Sequence, residues 1–424
     1  MLIKVKKNLP PIFVLFILLY PKSMDYIPFF SPLVKIIYIA QVLFVVFILL
    51  KYIIKFIYSG KISKTVVCFS LILITFNMSY FISDAYTGVL DQTFTVNMRR
   101  MLVCISLFLY MELSNMQTKE GIIKSAYYFL TALMVLNIIV YLLFPSGIAH
   151  MSMYSNEGYL TWTDSIGFLD ADNRVSLYAF LYFYIAQIYY ASINRTINNK
   201  FVYNFMIYII TITNIVLSRS ASGILSLLVL VSFMILINYK KSLSRIISWK
   251  GLLVLSLFVG LFVSGKFSGL LSFLGTIFNK GYTLSGRTEI WLLAIEKIAK
   301  SYILGYGTLD GGAFFHIGTY TWYAHNQYLD LWLQGGILCL IMFFVLIIYT
   351  NKKIRSVQIN KSYFCFVAVL LAFLTLGIVE HFIIRNYYQF WLFICIAFSM
   401  RNYKICDLLE LENLNQRHKT IDKL

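Results

Sequence analysis

Three short stretches carry residues able to do chemistry in an apolar setting: Arg287 in LSGRTEIW, Arg219 in VLSRSASG and His325 in WYAHNQYLDLW. Before Arg287, Ser285 and Gly286 read as a cap and a turn into a helix. That sets the guanidinium beside unpaired N–H groups and a positive dipole end, an anion site. Arg219 stands among Ser218, Ser220 and Ser222, small polar neighbours that allow close approach. Set among Trp322, Tyr323 and Asn326, His325 is placed so that a neutral imidazole takes a proton from a hydroxyl near physiological pH. Each has a plain structural alternative: an arginine snorkelling to headgroups, a headgroup contact at a helix end, and a hydrogen-bonded structural histidine.

Arg174, in GFLDADNRVS, starts a span after an outer loop, with Asp170 and Asp172 placed to pair with it or orient it. Glu380 and His381 occupy another turn and read equally as function or as solvated loop charge. Glu289 and Arg385 lie close to these groups in sequence, whereas His150, His316 and His418 have no supporting constellation. Gly305, Gly307, Gly311 and Gly312 in LGYGTLDGG resemble a flexible crossing, without the strand, Lys and Ser or Thr of a phosphate-binding P-loop. A nucleotide site is therefore rejected. No carboxylate pair at metal-binding spacing, such as the Asp-x-Asp motif by which a soluble nucleotide-sugar transferase holds its cation, is read in the chain, so sugar transfer here should draw on a lipid-linked donor.

What must position these residues is a set of membrane spans. The chain is 60% hydrophobic and 13% charged, with a mean hydropathy of +0.76, more apolar than a soluble core absorbs. Apolar runs long enough to cross ~30 Å of hydrocarbon recur, and their apolar character goes all the way round, as helices and not barrel strands require. The fold class is all-α, a polytopic bundle of eleven or twelve spans near 10–30, 33–50, 65–83, 100–114, 122–144, 174–193, 201–217, 222–238, 250–265, 326–350, 362–379 and 386–400. One transmembrane domain over 1–400 and a cytoplasmic tail over 401–424 are expected.

The formal charge of +18 is a topology signal and not a nucleic-acid one. About two thirds of the 36 Lys and Arg fall in alternate loops, the positive-inside pattern, which puts both termini in the cytoplasm. The run Ile12–Tyr20 is followed by Pro21 and Lys22, so no cleavable signal peptide is expected. Cys68, Cys104, Cys339, Cys365 and Cys395 fall inside spans and Cys406 in the tail, without metal or disulfide spacing. Two long loops, 145–173 and 266–325, fall on the outer side. Within the second, Gly269–Phe278 is apolar, and Trp291, Ile295 and Ile298 share one face of a helix whose opposite side pairs Glu296 with Lys300, the pattern of an interfacial helix.

In order, GRTEIWLLAIEKI, LGYGTLDGG and AHNQYLDLWLQGGILCLI, with SRSASG two spans earlier, resemble the O-antigen ligase and repeat-unit polymerase superfamily. The likeness covers about 170–350 by motif and the whole chain by topology. One departure is Tyr302, in KIAKSYILGYG, where family members often carry Pro before the Gly-x-Gly. The resemblance implies a metal- and cofactor-independent glycosyltransferase at the outer face of a bacterial cytoplasmic membrane. It moves a glycan from an undecaprenyl-type polyprenyl diphosphate to an acceptor hydroxyl. Arg219 and Arg287 would neutralise the leaving diphosphate, His325 would orient or deprotonate the acceptor, and Arg174, Asp172, Asn326 and Tyr323 would bind substrate. Implied partners are polyprenyl-diphosphate-linked oligosaccharide, membrane lipid, a flippase and a chain-length regulator, with no nucleic acid. The AT-rich style of composition and the divergent loop favour a polymerase building capsule, O-antigen or exopolysaccharide. A ligase with a lipid or protein acceptor is the alternative, and a non-enzymatic flippase is the reading from another class.

Overall fold

The computed structural model describes residues 11–59, 63–88, 90–154, 160–192, 200–239, 287–307, 323–357, 361–383 and 387–401. Its helices are α1 Pro11–Leu19, α2 Ser31–Ser59, α3 Lys64–Thr87, α4 Leu90–Leu113, α5 Met116–Leu143, α6 Val175–Ser192, α7 Lys200–Leu217, α8 Ala221–Tyr239, α9 Arg287–Lys300, α10 Gln327–Val357, α11 Lys361–Val379 and α12 Gln389–Ser399. Among the described residues six helices are long and apolar enough to cross a membrane, and four shorter apolar helices accompany them. This is the expected all-α multi-pass bundle. The span near 250–265, the apolar stretch 269–278 and the tail beyond residue 401 lie outside the described residues.

At the centre lies α11, 94% of whose apolar window is buried, packed chiefly on α8 and α6. A helix apolar on every face is what a bundle centre requires. Around it α3 packs on α4 and α10, and α5 and α7 flank α6. At the end rich in basic loops, Arg401 forks onto Glu112 at 3.1 and 2.8 Å and Lys119 Nζ donates to Ser399 O at 3.2 Å, tying α4, α5 and α12.

Three expectations change. The first span is a nine-residue helix followed by 3-10 turns at Lys22–Asp25 and Pro28–Phe30, because Pro21 and Pro28 lack the N–H a continuing helix needs. The loop 145–173 holds an antiparallel hairpin, β1 Ala149–Tyr154 with β2 Leu160–Ile166, paired Ala149↔Ile166 through Met153↔Trp162. The alternation in LTWTDSI was its signal. Finally, α4 begins ten residues before the expected position 100, at Leu90. Its first half, LDQTFTVNMRR, is too polar for hydropathy to register as a span, and the longer helix draws Arg99 and Arg100 inside it.

Candidate functional site

The end of the bundle away from the basic loops gathers the α5–α6 connection, the α7–α8 turn, the α9–α10 region and the α11–α12 turn. Ser218–Ser220 join α7 to α8 so tightly that Arg219 is held at φ 53°, its N–H bonded to Val216 O at 3.0 Å. Ser220 caps α8, its Oγ accepting from Gly223 N at 2.9 Å. A Cβ at Gly223 would meet Ser176 Oγ, so this glycine lets α8 cross α6 closely. Arg219 is exposed, and its side chain makes no hydrogen bond or ion pair among the described residues.

His325 has φ 49°, and it and Arg219 are the two non-glycine residues with positive φ among the described ones. Left-handed backbone is disfavoured for L-residues and persists only where the surroundings over-determine it. Here they do. Ala324 N donates to Asp330 Oδ1 at 2.7 Å, and Asn326 Oδ1 caps α10 by accepting from Tyr328 N at 3.0 Å and Leu329 N at 3.1 Å. His325 is thereby pinned at the mouth of α10.

One residue, Asn173, links these pieces. Its Oδ1 accepts from Ser220 Oγ at 2.9 Å and Ser222 Oγ at 3.3 Å, while its Nδ2 donates to Glu380 Oε1 at 2.7 Å. Next to Glu380, the His381 ring lies 4.0 Å from Tyr323, which lies 4.5 Å from His325. Gln327 Oε1 accepts from Phe382 N and Ile383 N at 2.6 and 2.8 Å, locking the α11–α12 turn onto α10. Contacts therefore run without a break from the Arg219 turn to His325. Glu380 and His381, which the sequence left open as solvated charges, are buried within this chain of contacts.

Heading α9 is Arg287, whose side chain, like that of Asp172, is outside the described residues. One turn on, buried Trp291 donates its indole N–H to Ala324 O at 2.9 Å, so the start of α9 is tethered beside His325. The docked face is Trp291, Ala294 and Ile298; Ile295, expected on it, is exposed with Leu292 and Leu293. Those three form a second apolar stripe, as an interfacial helix packed on protein requires, and Lys300 meets Glu296 at 2.8 Å on the solvent side.

The Arg174 guanidinium donates to Tyr26 Oη at 2.9 Å, lies 3.7 Å from Asp170 Oδ1 and sits over the Tyr387 ring at 5.3 Å. Burial pushes the Asp170 carboxyl above its usual range, opposed by Arg174 and the Ala171 N–H. Asp170-Ala171-Asp172 has the Asp-x-Asp spacing of metal-dependent transferases, which the sequence reading passed over. Asp170 is turned onto Ala171 N and Arg174, and no cluster of three or more metal-ligating side chains occurs among the described residues. Of the glycines read as a flexible crossing, Gly311 and Gly312 lie outside the described residues, and Gly305 and Gly307 are held in place. Tyr306 N donates to Leu333 O at 2.6 Å and Gly307 N to Gln334 O at 2.9 Å, against the kink that Gly336 makes in α10. A Cβ at Gly305 would collide with Leu333 O.

Sequence reasoning missed Asn173, the joint of the network, and Arg99–Arg100. A lone Asn in a polar stretch has no periodic signal, and with the span expected from position 100, Arg99 fell outside it and Arg100 at its edge.

Residues 206–344 match the family model described as O-antigen ligase. The match covers a third of the chain, from α7 into α10, and includes Arg219, Arg287 and His325 but neither Arg174 nor the α11–α12 turn. It supports placement in the O-antigen ligase and repeat-unit polymerase superfamily. No curated protein matches the chain.

Proposed function

We propose, from the O-antigen ligase domain spanning α7 to α10, that this protein is a membrane glycosyltransferase that polymerises polyprenyl-diphosphate-linked oligosaccharide repeat units at the outer face of the cytoplasmic membrane. The observation that carries the reading is that the two strained non-glycine backbones, Arg219 and His325, belong to one contact network. Strain of that kind clusters where geometry serves a ligand.

In this reading a sugar hydroxyl of the acceptor attacks the anomeric carbon of the donor glycan. His325 takes the hydroxyl proton as the new C–O bond forms. The bond from the anomeric carbon to the diphosphate breaks, and the lipid diphosphate leaves with the electron pair. Arg219, uncommitted among the described residues, and Arg287, at a helix start, neutralise the charge that develops on it, which a planar cationic fork does without a metal. Arg174, Tyr323, Asn326 and Asp172 are assigned to binding the acceptor. Asn326 Oδ1 is spent on capping α10, so its contribution is the Nδ2 group, buried and without a partner among the described residues.

The family model's description favours a second reading, a ligase that hands the glycan to a lipid or protein. Purified protein supplied with polyprenyl-diphosphate repeat units as sole substrate separates the two. A ladder of longer lipid-linked glycans supports the polymerase, and its absence sinks it. Arg219→Ala, Arg287→Ala and His325→Ala are each expected to abolish the ladder with membrane insertion intact. Repeat units that cross the membrane only when the protein is present, with no ladder, would establish a flippase instead.

A further inference from the structure

The bonds around Ala324 and Asn326 fix the backbone of His325, but a base must also aim its ring, and a histidine has two side-chain torsions that those bonds do not set. The His325 side chain is half-buried, so a substrate can reach it from outside. Its ring lies 4.5 Å from that of Tyr323, with the planes tilted by 58°. Tyr323, also half-buried, touches a second histidine: the His381 ring is 4.0 Å away and tilted by 43°. Between the two imidazoles the distance is 6.3 Å and the angle 83°. Tyr323 is thus the middle ring of three, with His325 at the open end and His381, 2% exposed, at the buried one.

His381 has a rigid seat. Before it, Glu380 N closes the end of α11 on Leu376 O at 2.9 Å, and Glu380 Oε1 accepts from Asn173 at 2.7 Å. After it, the N–H groups of Phe382 and Ile383 both donate to Gln327 Oε1. Gln327 opens α10 two residues beyond His325, so one carboxamide ties the turn that carries His381 to the helix that His325 heads. The backbone on each side of His381 is pinned, and its ring is a fixed surface for Tyr323 to rest on. Nothing in the segment that matches the family model supplies this contact, because His381 lies beyond residue 344.

We propose that His381 is a positioning residue: its ring holds Tyr323, and Tyr323 holds the His325 imidazole in line with the acceptor hydroxyl. It is not itself the base, since a ring so buried is out of reach of a sugar. The role rests on the reading in which His325 takes the acceptor's proton.

Two measurements on the full-length protein in nanodiscs test it. The first is ladder formation from lipid-linked repeat units. His381→Leu, which fills the buried volume without a ring, should lower kcat about 10- to 100-fold and leave KM near the wild-type value, as misaiming a reacting group does. His381→Phe restores a ring and should recover most of the loss. In a Tyr323→Leu background His381→Leu should cost little more, because residues acting through one contact are not additive. A His381→Phe variant as inactive as His381→Leu would assign the role to the imidazole nitrogens and overturn the proposal. So would additive losses in the double variant, or a raised KM with kcat unchanged. The second measurement needs no glycan: the rate at which diethyl pyrocarbonate modifies His325, followed by peptide mass. His381→Leu should quicken it about 2- to 10-fold, the equivalent of one aromatic contact, and His381→Phe should not. An unchanged rate in His381→Leu overturns the positioning. If that rate rises but the wild type builds no ladder, the hold of His381 on His325 stands and the polymerase reading fails.

Discussion

Inside a helix alanine is more stabilising than glycine; at position 219 the order should invert. Arg219 is held at φ 53°, where an L-residue is disfavoured by about 1–2 kcal/mol. Glycine avoids that penalty but loses about 0.5–1 kcal/mol in extra unfolded-chain entropy. The net favours Arg219→Gly over Arg219→Ala by about 0.5–1 kcal/mol, whereas an ordinary helical position favours alanine by about the same amount. Because the wild-type side chain makes no bond among the described residues, the glycine variant should also be no less stable than the wild type. Its glycan-extending activity should nonetheless fall about 100- to 1,000-fold, the loss typical for one donor aimed at developing charge. The measurements are equilibrium unfolding of the two variants in a denaturing-detergent titration and ladder formation from lipid-linked repeat units. Alanine equal to or better than glycine in the titration would refute the strained turn, and a normal ladder from the glycine variant would refute the role of the guanidinium.

Trp291→Phe removes the indole N–H and leaves Ala324 O buried without it, so a loss of about 1–3 kcal/mol is expected. Activity should drop with it, because the start of α9 and His325 lose their tether; a variant destabilised but fully active would separate the tether from the chemistry. Asn173→Leu should reduce ladder formation more than Ser222→Ala, since it severs the Arg219 turn from Glu380 where the serine change removes one 3.3 Å bond. Equal effects would show that Asn173 is not the joint. Burial lowers the Lys22 ammonium from its ordinary value to about 8, partly offset by Asp25 and Asp170. Between about pH 8 and 10.5 the unfolded chain binds the proton that the folded one has lost, so stability rises with pH across that window. Lys22→Met should therefore gain on the wild type most below pH 8, with the gap closing toward pH 10.5 in thermal unfolding scans; a gap independent of pH would contradict the burial.

Much of this molecule was legible because a bilayer imposes simple rules. Spans α2, α3, α5 to α8, α10 and α11 follow from unbroken apolar length, and the short α7–α8 turn from two spans separated by three residues. The reading faltered where polarity and membrane depth part company. Asn97, Asp84 and Asn77 satisfy one another or their own helix, so polar stretches of α3 and α4 are buried at no lasting penalty, and hydropathy took the start of α4 for a loop. That start put Arg99 outside the expected span and Arg100 at its edge.

The site raises a different issue, because residue type and order pointed to Arg219, Arg287 and His325 while giving no reason for the segments that carry them to be joined. That reason lies in bonds among residues with no sequence signal: Asn173 across two connections, Gln327 onto the α11–α12 turn, and Trp291 onto Ala324. Each spans elements far apart in the chain and none touches a group proposed to react. A left-handed arginine or histidine is unstable by itself, so the strain at 219 and 325 exists only because these bonds fix both ends of each turn. It follows that losing Asn173, Gln327 or Trp291 should harm the site more than exchanging lipid-facing apolar side chains of the spans. In the proposed mechanism the chemistry is carried by few side chains, and the turns that hold them are fixed by a polar lattice at one end of an otherwise apolar bundle.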